Sequence, residues 1–219
     1  MTEQSFILAP ATVTVSFSLS PVDNINDSLM LMPQVYDLSG LGDWLEHTYN
    51  RLSPEQRQTH DMIFNVLFPA LHLDANPPDY PAYLEQLSRR DPVAARNDVL
   101  AMLVKVCAMY SVETTAEALL AADEVGFMAI IERGVAPKYA DKGQTFQPAI
   151  FREARPLLAD PPAMMAVIID HLRYMWQVHC KAEWERNLPT LREVMTAFQQ
   201  MDYSGLTAIE AVRAVTGRD

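Results

Sequence analysis

The sequence predicts a mainly α protein, a bundle of about nine to ten helices with one short N-terminal β-strand. Two observations carry the helices. Serine or aspartate stands directly before proline at Ser20-Pro21, Ser53-Pro54, Asp91-Pro92 and Asp160-Pro161. Each pair sets a side-chain acceptor against the free N–H groups of a helix start and follows it with a residue that has no N–H to satisfy. Between these starts, apolar residues recur at helical spacing. A third observation carries the strand. In "ATVTVSFSLSP", residues 11–21, Val13, Val15, Phe17 and Leu19 alternate with threonine and serine, the period of a strand with one apolar face.

Taken in order, these signals place helices over 21–32, 41–52, 54–68, 81–89, 92–110, 115–133, 148–158, 161–186, 189–201 and 207–216. Ser53 is followed three residues later by Gln56, and Thr207 by Glu210, both at capping-box spacing. Gly134 and Gly217 stand where C-terminal caps belong. Two stretches are irregular: "HLDANPPDYP", residues 72–81, a proline-stiffened connection, and "GVAPKYADKGQTFQP", residues 134–148. The chain reads as a single domain over 1–219, with a lobe junction expected at 134–148.

The strand needs a partner, because a lone strand leaves a row of backbone donors and acceptors unpaired. "SFILAP", residues 5–10, makes a poor hairpin with it, since Pro10 adjoins the turn. The expected pairing is with the same strand of a second copy around a two-fold axis, or with a strand outside this chain. Val13, Val15, Phe17 and Leu19 are thus the candidate dimer strand of a homodimer.

Charge narrows the functional classes. The chain carries 17 basic and 28 acidic residues, a net charge of −11. Nucleic-acid affinity comes chiefly from Lys and Arg neutralising phosphates, so a chain this acidic with no basic stripe is a poor DNA binder alone. The least acidic segment, Arg133 to Arg155, mixes Lys138, Lys142 and Arg152 with Asp141 and Glu153 and reads as a solvated loop. No apolar run approaches the roughly 20 residues of a membrane span. The N-terminus lacks the basic start and apolar stretch of a secretory signal. Cys107 and Cys180, the two cysteines, sit in apolar helical patterns and read as buried thiols of a reducing cytoplasm.

No catalytic arrangement is specific. The sequence has no Gly-rich phosphate loop, H-E-x-x-H, C-x-x-C or G-x-S-x-G, and so implies no cofactor. His171 and His179 are eight residues apart on one predicted helix, roughly 12 Å along its axis, and cannot hold one ion. His179 and Glu183, at i and i+4, supply two ligands and leave a zinc site half built, so no metal is expected. His60, in "THDMIF", reads as a hydrogen-bonded core histidine. The helix 161–186 bears two adjacent apolar stripes: Met164, Ile168, His171 and Met175, then Met165, Ile169, Leu172 and Trp176. Trp176 and Trp184 flank His179 and Cys180. These residues read first as core anchors and second as a pocket, with Met175, His171, Trp176, His179 and Trp184 the candidate ligand-binding residues.

"YMWQVHCKAEWERNLPTLREVMTAF", residues 174–198, resembles a feature of bacterial ArsR-type transcriptional regulators, an aromatic-rich helix with a Trp-Glu-Arg step followed by Pro-x-Leu. The N-terminal part is similar in style, with "VTVSFSLSP", "DNINDSLMLM" and "DLSGLGDWLEHTYNRLSPEQR" in succession. The resemblance covers nearly the whole chain as spaced residues rather than a strict motif. It implies a helical N-terminal domain followed by a winged-helix DNA-binding domain. After 207–216 the chain stops at "GRD", so the expectation is that the winged helix is missing here and that DNA contact belongs to it. The cysteine-rich box of metal-sensing relatives is absent, and metal sensing does not carry over. What the resemblance implies for this chain is dimerisation and sensing of a small-molecule effector that it does not identify. Two other classes compete: an enzyme using His179 with a nearby carboxylate as base and acid, and a protein-interaction module with a large exposed apolar patch.

Overall fold

The computed structural model describes residues 19–38, 40–75, 77–201, 206–207, 209–210 and 213–214. Over these the protein is mainly helical. Val13, Val15 and Phe17 of the expected strand, and Gly217, lie outside the described residues. Leu19 is described: it is half-buried and non-helical, one residue before the first helix cap.

The helices start where the sequence places acceptors. Ser20 caps α1 (Pro21–Leu31) by accepting from the Asp23 N–H at 3.2 Å. After α2 (Asp43–Arg51), Ser53 and Gln56 close a reciprocal capping box on α3 (Pro54–Met62). α3 runs on through a π-helical segment, Ile63–Leu67, and a 3-10 turn, Phe68–Leu71. Asp79 caps α4 (Tyr80–Ser88) and Asp91 caps α5 (Pro92–Met109). Thr207 and Glu210 bond reciprocally at their own helix start.

Three boundaries differ from the sequence reading. The helix expected over 115–133 is two, α6 (Ala116–Ala121) and α7 (Glu124–Gly134), because the Asp123 carboxylate accepts from the Gly126 N–H at 2.8 Å and restarts the helix. The irregular stretch 134–148 contains a further helix, α8 (Ala136–Asp141), which precedes α9 (Pro148–Ala159). α10 (Pro161–Met175) leads into a second π-helical segment, Trp176–Cys180, and then α11 (Lys181–Gln199). Pro189, expected to begin a new helix, lies inside α11, where it forfeits one backbone donor while the chain on both sides stays helical.

Two compact units are present: Ser20–Trp184, and Met1–Leu19 with Glu185–Asp219. The stretch 134–148 falls wholly inside the first. There, α5 and α10 pack on one another at the centre. Both predicted stripes of α10 face inward, with Met164, Ile168, Leu172 and Met175 fully buried and Ile169 and Trp176 half-buried. Each fully buried side chain of this size contributes about 1.5–3 kcal/mol. The two cysteines are free and buried, and burial pushes the Cys180 thiol up to about 12.

Gly134 has a role other than the cap expected of it. It is the last residue of α7, where that helix crosses α5 closely. A Cβ there would stand 2.5 Å from Cys107 Sγ and 3.0 Å from its Cα. Gly134→Ala is therefore expected to lower unfolding stability by about 2–3 kcal/mol through overpacking. Gly143→Ala meets no atom within 4 Å and bears only the strain of its φ of +67°, about 1 kcal/mol. Urea denaturation compares the two, and an equal or smaller cost at Gly134 contradicts the close-packing account.

Candidate functional site

The polar groups of the core converge on His60. α3 carries it on its buried face, three residues before the π-helical segment, and it is fully buried. Its Nε2 lies 2.8 Å from the Leu29 carbonyl oxygen in the last turn of α1, so Nε2 carries the proton and donates. This satisfies a carbonyl of the group that helix ends leave without a full intrahelical complement. Its Nδ1 is then a lone pair, and it accepts from the Nε2–H of His171 on α10, at 2.9 Å. One imidazole thus links α1, α3 and α10, and the direction of both bonds fixes two neutral Nε2–H tautomers.

Burial pulls the pKa of His60 down to about 3, and the His171 ring adds to the shift. Burial likewise lowers His171 to about 4, with His179 as the second cause. A proton on His60 Nδ1 would set one N–H against another. A proton on His171 would leave a cation in an apolar core.

Asp61 follows His60 on α3 and bonds Tyr49. Asp61, 6% exposed, accepts from the Tyr49 hydroxyl at 2.8 and 2.9 Å through its two oxygens. Burial raises Asp61 to about 6, against the opposing pull of the Tyr49 hydrogen bond and the Arg57 guanidinium. Burial first, and the Asp61 charge second, hold the Tyr49 hydroxyl well above its ordinary value. The rings form an edge-to-face series: Tyr36 to Tyr49 at 6.4 Å, Tyr49 to His60 at 6.2 Å and His60 to His171 at 5.2 Å. Tyr36 is exposed and donates to Asn50.

The five residues expected to form a ligand pocket are placed as follows. Met175 and His171 are core. Trp176 stands 5.1 Å from the Tyr80 ring and lines a cleft of about 440 Å³ with Pro81, Leu84 and Arg173. Trp184 is half-buried against the core. His179, half-buried, has its ring 5.5 Å from Tyr174. Its Nε2 is shut off from solvent and has no hydrogen-bond partner among the described residues, so none of their carboxylates orients it through that nitrogen. Burial, then the Arg51 cation, lowers its pKa.

A larger cleft, about 860 Å³, opens elsewhere, walled by α1, the stretch after the 3-10 turn, α4 and α5. The proline-stiffened connection 72–81 forms part of its wall, a role that its loop composition gave no means of reading. Among the described residues no three His, Cys, Asp or Glu side chains gather as a metal site, and no helix is long and apolar enough to cross a membrane. No family model, curated protein or solved structure matches the chain.

The buried imidazoles make stability depend on pH. Below pH 6.5 the unfolded histidines bind protons that folded His60 and His171 refuse, so stability is lost as pH falls from 6.5 toward 4. Asp61 acts in the opposite sense from about 6 down to 3.8, where only the folded carboxyl is protonated. Each fully shifted histidine contributes a loss of about 1.4 kcal/mol per pH unit between pH 6 and 4, and Asp61 offsets one of them. His171→Gln keeps an N–H for His60, removes one histidine and should lower the slope by about 1.4 kcal/mol per pH unit. Urea titrations at pH 4, 5 and 6 read both, and equal slopes for parent and variant contradict the assignment.

Proposed function

We propose that this chain is the dimerising, effector-sensing part of a bacterial transcriptional regulator of the ArsR type, and that it does not itself bind DNA. The observation that carries the reading is how the core polar groups are employed. His60 and His171 are consumed in linking three helices, at the points where two of those helices lead into π-helical segments. Such segments mark places where helix register is adjustable and recur at functional sites. A helix assembly whose links run through a few hydrogen bonds can be shifted between packings by a ligand that favours one by a few kcal/mol. The resemblance of residues 174–198 to ArsR-type regulators, and the charge of −11, agree with a sensing rather than a DNA-reading role.

The arrangement favours this over an enzyme. Among the described residues His179 has no acid at Nε2, and His60 and His171 are held neutral by burial with both ring nitrogens of His60 engaged. On the present reading the chain lies in the cytoplasm and meets DNA only through a winged-helix domain outside it.

Light scattering after size exclusion is expected to give twice 24.6 kDa, about 49 kDa, and gel-shift assays of the chain alone no DNA complex at physiological salt. The coding sequence beyond Asp219 is expected to encode a winged-helix pattern. A monomer with no such pattern downstream overturns the reading.

A further inference from the structure

The larger cleft has a composition that selects a ligand. Its apolar wall includes Met30, Phe68, Leu73 and Met102, all half-buried, so the fold leaves a concave apolar surface in contact with water. Its volume of about 860 Å³ suits an organic molecule of drug size. Methionines from two elements, Met30 of α1 and Met102 of α5, give a surface that adapts to shape.

The charges at the cleft are unbalanced. Asp23 from α1, Asp74 from the proline-stiffened connection and Asp98 from α5 line it, against one cation, Arg90. Arg90 is already engaged: its side chain is 15% exposed, it pairs with Asp98, and it donates to the Ala70 carbonyl at 2.5 Å. Its charge is spent in closing α4 onto the 3-10 turn and α5. Asp23 and Asp74 are exposed and form no ion pair among the described residues. Two carboxylates without a cation partner therefore line an apolar cleft. A neutral ligand would gain from the walls alone, and an anion would meet repulsion. A cation with an apolar body gains from both, because partial enclosure by low-dielectric walls strengthens the charge attraction.

We propose that this cleft binds a lipophilic organic cation, with Asp23 and Asp74 supplying charge recognition and Met30, Phe68 and Met102 the apolar contact. The proposal deepens the regulatory reading and rests on it only for what binding accomplishes. The binding step is measured without DNA or dimer readouts, so either can fail alone.

Tetraphenylphosphonium and tetraphenylborate share one shape and carry opposite charge. Titration calorimetry of the full chain is expected to give one phosphonium per chain and borate binding at least tenfold weaker. Asp23→Asn with Asp74→Asn should weaken phosphonium about tenfold and reduce its salt dependence. Ala94→Trp, at an exposed α5 position lining the cleft, should abolish binding with the melting temperature unchanged. Borate binding as tightly as phosphonium, no phosphonium binding up to millimolar concentration, or binding indifferent to Ala94→Trp overturns the proposal.

Discussion

His60 sits where three helices meet, and its two ring nitrogens do different work. Nε2–H closes the end of α1 through the Leu29 carbonyl, and Nδ1 accepts a hydrogen bond from the Nε2–H of His171 on α10. A buried polar group is costly unless both its donor and its acceptor are met. Satisfying one ring therefore fixes the position of two partners that are remote in sequence, one 31 and the other 111 residues away. Apolar packing of Met164, Ile168 and Leu172 supplies the larger share of cohesion, but it is non-directional. The imidazole link is directional: it ties α10 to α3 at one position, a bond a core methionine could not make.

That constraint also explains the division of labour across the compact unit Ser20–Trp184. The core histidines are buried and neutral, and both ring nitrogens of His60 are engaged in the helix links. Adaptable surface lies instead at the cleft walled by α1, α4 and α5, where side chains are half-buried and charges unbalanced. α1 belongs to both places: Leu29 of its last turn is tied to His60, while Asp23 of its first turn and Met30 line the cleft.

Local features of this fold were legible in the sequence because they are decided within four residues. Ser20, Ser53, Asp91 and Asp160 each cap the helix that the following proline announces. The two apolar stripes of α10 were equally plain, since helical period translates directly into a buried face. Asp123 was misread because its capping bond to Gly126 interrupts an apolar pattern that continues on both sides. Gly134 looked like a terminator, whereas its use depends on how closely α5 passes, which sequence position does not encode. The pairing of His60 with His171 is of the same non-local kind. Each histidine alone reads as an ordinary core residue, and only the fold brings them within 2.9 Å. The cleft escaped notice for a related reason: its lining is drawn from four separate segments, none with a motif of its own.

The central claim is that His60 and His171 are a neutral pair with both protons on Nε2, holding α1, α3 and α10 together. Long-range ¹H–¹⁵N NMR of the histidine side chains at pH 5.5 tests it most directly. The account predicts that His60 and His171 both give the signals of a neutral imidazole in the Nε2–H form at that pH. An imidazolium spectrum, or an Nδ1–H tautomer, for either His60 or His171 at that pH would contradict it.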